Sequence, residues 1–134
     1  MAPLLEIDNL SITFDGTINA VNGLSLSINE GQTLALVGES GSGKSVSALS
    51  IVRLLDERHA CYPTGSIHFQ GENMLSITDK RLRQIRGQKI SMIFQEPMTS
   101  LNPLHTVEKQ VSETLALHRG MREAQARKRC IELL

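Results

Sequence analysis

Residues 4–14, LLEIDNLSITF, alternate loosely between apolar and polar positions, and the run stops at Asp15-Gly16, a turn signal. Residues 20–29, AVNGLSLSIN, keep a cleaner period of two, with Leu24, Leu26 and Ile28 on one face and Ser25 and Ser27 on the other. Together they predict a hairpin-type antiparallel pair. Residues 33–38, TLALVG, differ: Leu34 to Val37 is unbroken by polar positions, which predicts a strand buried on both faces, as in a mostly parallel sheet. A glycine-rich loop follows at once. Residues 45–55, SVSALSIVRLL, then read as a helix whose turns are marked by Val46, Leu49 and Val52. After the polar break DERHACYPTG, residues 66–71 (SIHFQG) predict a short strand. Residues 79–87 (DKRLRQIRG) predict a short helix stopped at Gly87, and 89–94 (KISMIF) a second buried strand.

Beyond Pro97 the character changes. EPMTSLNPLHTV carries Pro97 and Pro103 and predicts a loop; Val107, Val111, Leu115 and His118 then recur at helical spacing. Gly120 breaks that helix and a second one opens, running to Leu134 on the apolar phrase CIELL without a Gly, Pro or polar stop signal.

Composition narrows the class. A hydrophobic fraction of 40% excludes a disordered tail, and 134 residues amount to about one domain. No apolar run approaches the roughly 18 residues that cross a bilayer, and MAPLLEIDNL carries acids where a secretory signal carries bases. Cys61 and Cys130 form no CxxC pair, so a reduced cytosolic compartment is the simplest reading. The formal net charge is zero, yet residues 1–67 hold 3 basic and 7 acidic side chains while residues 68–134 hold 11 basic and 7 acidic. With aromatics at only 3%, the basic clusters at Lys80–Lys89 and Arg119–Arg129 read as solvated helix faces rather than a nucleic-acid surface. The four histidines, His59, His68, His105 and His118, show no ligand spacing and read as structural or exposed.

Residues 38–45, GESGSGKS, match the phosphate-binding pattern G-x-x-x-x-G-K-[ST], placed between a predicted strand and a predicted helix as its mechanism requires. Gly38, Gly41 and Gly43 let the backbone turn and approach a phosphate closely. The N–H groups from Ser40 through Ser42 to Ser45 then point inward as an anion nest, reinforced by the helix dipole. Lys44 supplies a compact charge to the β- and γ-phosphates, and the Ser45 hydroxyl a ligand to Mg²⁺. The pattern points to a nucleoside triphosphate and leaves ATPase, GTPase and kinase open; no Asn-Lys-x-Asp guanine reader is present.

The phrases VNGLSLSINEGQTLALVGESGSGKSVSALSIVRLL and ISMIFQEPMTSLNPLHTV make the chain resemble the ATP-binding subunits of ABC transporters over its whole length. The second phrase is similar to the Q-loop region of the peptide and nickel importers, above all the branch with two ATP-binding halves in one polypeptide. The resemblance implies an α/β fold of the ABC type, with an antiparallel β-subdomain and part of the core sheet in residues 1–97 and the beginning of the helical subdomain in 98–134. It implies ATP and Mg²⁺ as cofactors. Lys44 and Gln95 would be catalytic, Gln95 and Ser45 would be metal ligands, and Phe14 would stack on adenine; by itself Phe14 reads equally as a strand-end core residue. Many members have Thr where this chain has Val46, so its backbone N–H remains for the α-phosphate without the hydroxyl.

The family's LSGGQ signature, its hydrophobic strand ending in Asp-Glu and its switch histidine are missing from the sequence, and Glu96 does not substitute because Gln95 stands where the metal-ordering Asp belongs. The expectation is the N-terminal part of a nucleotide-binding domain, with a core sheet short of strands and apolar faces uncovered. The function implied is ATP binding and hydrolysis coupled to peptide uptake. The site would lie on the cytoplasmic face of the inner membrane, with permease subunits, a second ATP-binding domain placed head to tail, and an external solute-binding protein as direct or indirect partners. The alternatives are a nucleotide-binding fragment without turnover and a subunit of a nickel or glutathione importer.

Overall fold

The computed structural model describes residues 2–96 and 100–134. It divides into two compact units, Met1–Leu82 and Arg83–Leu134. No helix among the described residues is long and apolar enough to cross a membrane.

The first unit is built on strands β1 (Leu5–Phe14), β2 (Ile18–Ile28), β3 (Ala60–Phe69) and β4 (Glu72–Asn73). They form an antiparallel sheet in the order β2-β1-β3-β4. The expected hairpin of β1 and β2 is present, and β3 adds to the other edge of β1. Leu5, Ile7, Leu10 and Ile12 of β1 are all buried, although a strict period of two would send Ile7 and Leu10 to opposite faces. A bulge resolves the conflict: the register shifts between Ile7 and Leu10, with Asn9 in the left-handed region at φ 45°. Ser25 Oγ accepts the Asn9 N–H at 2.8 Å, and Thr64 Oγ1 donates to the Asn9 carbonyl at 3.2 Å. Gly65, at φ 90°, fits against this bulge because a Cβ there would lie 2.5 Å from the Asn9 carbonyl oxygen.

Strand β3 begins at Ala60 rather than Ser66, inside the segment expected to be a polar break. Pro63 is accommodated because it falls between the pairs Thr13↔Cys61 and Ser11↔Thr64, where the ladder is already irregular and its missing N–H leaves no gap. Helix α1 (Lys44–Ile51) is shorter than the helical pattern to Leu55 suggests. Arg53 turns the chain at φ 51°, its guanidinium held by Glu57 at 2.7 Å and by the Ile77 carbonyl at 3.2 Å. Helix α2 (Asp79–Ile85) is present, and Gly87 follows it at φ 80°.

The two runs expected to be buried parallel strands are not strands. Residues 33–38 have no regular structure, and Val37 is 93% exposed. Residues 91–94 are likewise irregular, with Ile93 99% exposed, and Ile90 makes only an isolated bridge to Arg86. A parallel strand needs neighbours on its edges and cover on both faces. Among the described residues neither run joins a ladder.

In the second unit, α3 (Val107–Arg119) and α4 (Glu123–Leu133) pack together. Thr106 caps α3 by accepting the Lys109 N–H at 3.2 Å, and Gly120 ends it at φ 61°. Ala126 and Cys130, one turn apart on α4, are buried, and Arg127 meets Glu108 of α3 at 3.2 Å. Both cysteines are free thiols. The loop before α3 is fastened by Gln110, whose amide accepts the Asn102 N–H at 2.9 Å and donates to the Asn102 carbonyl at 3.1 Å. Pro97, Met98 and Thr99, part of the phrase EPMTSLNP, lie outside the described residues.

Candidate functional site

The glycine-rich loop leads directly into α1. Gly41 and Gly43 take φ 80° and 85°, conformations that side-chain-bearing residues rarely adopt. Gly43 has a second reason to lack a side chain, since its Cβ would collide with the Ala20 carbonyl oxygen of β2. A Cβ on Gly38 would stand 2.6 Å from Ser42 Oγ. The loop is thus folded tightly on itself and against the hairpin.

No side chain caps α1 at its N-terminus. An α-helix leaves its first N–H groups without intrahelical partners, so those of Lys44, Ser45 and Val46 face the loop's concavity with the positive end of the helix dipole behind them. A cleft of about 180 Å³ lies over this turn, lined by Ala20 and residues 41–46. A neighbouring cleft of about 520 Å³ runs between β2 and the loop, reaching Leu36, Val37 and Ser47.

Lys44 is half-buried and bends back over the loop. Its ammonium donates to the Gly38 carbonyl at 2.7 Å, the Glu39 carbonyl at 2.6 Å and Ser42 Oγ at 3.0 Å. These three acceptors hold a full positive charge at the mouth of the nest. Ser45 is exposed. Ser47, one helical turn after Gly43, is buried and donates its hydroxyl to the Gly43 carbonyl at 2.8 Å, which pins the αL residue to the helix it starts. Sequence reasoning missed Ser47; its only signal is a polar residue on the inward side of a short helix.

The structure brings Gly38, Ser40, Gly41, Ser42, Gly43, Lys44, Ser45 and Val46 into one contiguous loop and first helical turn. Phe14 belongs to the same unit. It ends β1, half-buried, paired with Ile18 of β2 and Ala60 of β3, and it lines neither of the two clefts. Gln95 lies in the second unit, exposed, in the irregular stretch after Ile90. Among the described residues no group of three or more His, Cys, Asp and Glu could enclose a metal ion.

Known proteins share the sequence and fold of this chain. The chain is 60% identical over 127 residues to the ABC transporter ATP-binding protein YejF of Escherichia coli K12, which covers 92% of this chain and 24% of that protein. It is 51% identical to the peptidoglycan transport ATP-binding protein YejF of Agrobacterium fabrum, over 98% of this chain and 25% of that protein. It is 45% identical to the oligopeptide transport ATP-binding protein AppD of Bacillus subtilis, over 100% of this chain and 42% of that protein. The chain therefore spans 24% to 42% of the length of these curated relatives. Among solved structures, a dimeric ATP-binding cassette in a post-hydrolysis state, bound to ADP and phosphate, superimposes with a TM-score of 0.78 at 31% identity. That match covers 96% of this chain and 54% of the cassette. The fold is accordingly that of an ATP-binding cassette over part of its length. Residues 21–134, which include the whole glycine-rich loop and its helix, match the family model for ABC transporters, and the chain belongs to that family.

Proposed function

We propose that this chain provides the phosphate-binding half of an ATPase site in an importer that takes up peptides. The observation that carries the reading is the uncapped N-terminus of α1 behind a glycine loop whose Gly41 and Gly43 are left-handed and whose Gly43 is closed in by the Ala20 carbonyl, with Lys44 held over it. Such a nest binds anionic oxygens through backbone N–H groups and a helix dipole. On binding a triphosphate, Lys44 exchanges its three loop acceptors for phosphate oxygens, and the N–H groups from Ser40 to Val46 turn to the chain of phosphates, that of Ser42 leaving the Glu39 carbonyl it meets at 3.2 Å. Phe14 offers its ring to adenine.

Mg²⁺, when bound, neutralises phosphate charge and orders water. Oxygen donors suit it, and it is commonly held by few protein ligands together with substrate phosphates. Ser45 has an exposed hydroxyl beside the nest, and Gln95 offers an amide oxygen. In this reading Gln95 also orients the attacking water and communicates with the membrane subunits. Residues 1–97 belong to the β-subdomain and core of the nucleotide-binding domain, and 98–134 to its helical subdomain.

The importer reading draws on relatives named for peptidoglycan, peptide and oligopeptide transport. It implies permease subunits, a second ATP-binding domain head to tail, an external solute-binding protein acting at a distance, and a peripheral place on the cytoplasmic face of the inner membrane. The experiment is ATP-driven uptake of labelled oligopeptide and of nickel by cells carrying the complete native protein or its Lys44→Ala variant. Peptide uptake that disappears in the variant is the expected result. Lys44-dependent uptake of nickel alone overturns the substrate class, and peptide uptake unaffected by the variant overturns the ATPase role. A second reading, nucleotide binding without turnover by these 134 residues alone, is favoured by the absence of any LSGGQ sequence within them. ATP bound by the isolated chain with no phosphate released is its signature.

A further inference from the structure

The turn between β1 and β2 is fastened twice to the segment that enters β3. The Asp15 N–H donates to the His59 carbonyl at 2.9 Å, and His59 Nδ1 meets Asp15 Oδ1 at 2.7 Å. Asp15 and Gly16 both lie in the left-handed region, at φ 49° and 70°, a conformation that this fastening helps to hold. Phe14 adjoins the latch: it precedes Asp15 in sequence and pairs across the sheet with Ala60, the residue after His59.

The charged groups facing His59 are few. Asp15 comes from the turn, and Asp56 and Arg58 come from its own segment. Arg58 is clamped on Asp56, with Nε to Oδ1 at 3.0 Å and Nη2 to Oδ2 at 2.7 Å, which leaves Asp15 as the carboxylate bonded to the imidazole.

We propose that the Asp15–His59 pair is a positioning latch for Phe14, so that adenine recognition tightens when His59 is protonated. The inference rests on the reading of Phe14 as the base-stacking residue. The hydrogen bond to Asp15, then the charge of Asp15 and that of Asp56, raise the His59 pKa above its ordinary 6.5. A raised histidine contributes its ionic part fully below the ordinary value and loses it as pH rises through the raised one. Above that, a neutral ring protonated on Nδ1 keeps a hydrogen bond without the charge.

The test is calorimetric titration of the complete native protein and its His59→Gln and Asp15→Asn variants, at pH 6.0 and pH 8.5, with ATP and with inorganic tripolyphosphate. Taking the ratio of variant to native Kd at each pH removes the ligand's own titration. The expected result is ATP affinity weakened about twofold to fivefold at pH 6.0 in both variants, the range of a solvent-exposed ion pair. A smaller ratio is expected at pH 8.5, with tripolyphosphate affinity unchanged throughout. Equal weakening for ATP and tripolyphosphate assigns the pair a general structural role and overturns the latch. Phe14→Ala separates the two layers. If Phe14→Ala weakens ATP binding while His59→Gln and Asp15→Asn do not, the latch fails and the base-stacking reading stands. If Phe14→Ala leaves ATP affinity unchanged, that reading fails and the latch with it.

Discussion

Strand β1 and the run at residues 33–38 are both rich in Leu, Ile or Val, and both lie in the first unit, yet their fates are opposite. Leu10 and Ile12 are fully buried between β2 and β3, whereas Leu34, Leu36 and Val37 are exposed in irregular chain. The difference is in the partners and not in apolarity. Strand β1 finds antiparallel neighbours on both edges, one of them through a tight turn, within 70 residues of chain. The run at 33–38 has the unbroken pattern of a doubly covered strand, and neither an edge partner nor a cover is found for it among the described residues. Burial is a property of an assembled sheet; a sequence pattern states only which strands require it.

Truncating side chains should separate the two regions. In urea unfolding of the 134-residue chain, Leu10→Ala is expected to cost about 2–5 kcal/mol, because it leaves a cavity in a closed core. Val37→Ala, at an exposed position, is expected to change stability by less than about 0.5 kcal/mol. Equal losses would mean that residues 33–38 are packed and the contrast is false. Glycines sharpen the same point. Gly65→Ala forces a methyl group into the β1 bulge in addition to its left-handed strain and is expected to lose about 2–3 kcal/mol, while Gly16→Ala meets nothing within 4 Å and loses only the strain, about 1 kcal/mol. The order of their unfolding midpoints checks it. In the second unit, Thr106→Ala removes the cap of α3 and is expected to cost about 1 kcal/mol, read as faster amide exchange at Lys109.

The smallest effect is expected at the sheet edge, where Arg81 Nε meets Glu72 Oε2 at 2.9 Å on the surface. The hydrogen bond from Arg81 holds the Glu72 carboxyl below its ordinary 4.5. A depressed carboxylate contributes stability above its unfolded pKa and loses it as pH falls. Glu72→Gln should therefore lower the unfolding midpoint slightly at pH 7 and leave it unchanged near pH 3. A loss that grows on acidification would contradict the assignment.

Much of the fold was legible where the determinants are local. The period of two in AVNGLSLSIN and the turn at Asp15-Gly16 mark the hairpin, and Val107, Val111 and Leu115 mark α3. The conformation of the glycine-rich loop was legible for the same reason: the left-handed turns at Gly41 and Gly43 and the start of α1 are written into eight consecutive residues. What was not legible depends on distant pairings. The start of β3 was hidden by Pro63 and Gly65, which read as loop residues until the irregular ladder and the Asn9 bulge receive them. The latch between Asp15 and His59 joins positions 44 apart and has no local signature. The strand patterns at 33–38 and 89–94 gave no indication of whether partners would be found.

In the proposed function, residues 38–46 bind the phosphates of ATP, with Lys44 as the principal charge. The deciding experiment is calorimetric titration of ATP into the complete native protein and its Lys44→Ala variant. Removing a charge-assisted contact of this kind is expected to weaken binding by tenfold or more, about 1.5–3 kcal/mol or beyond. An ATP affinity unchanged by Lys44→Ala would contradict the account and return the glycine-rich loop to an ordinary surface turn.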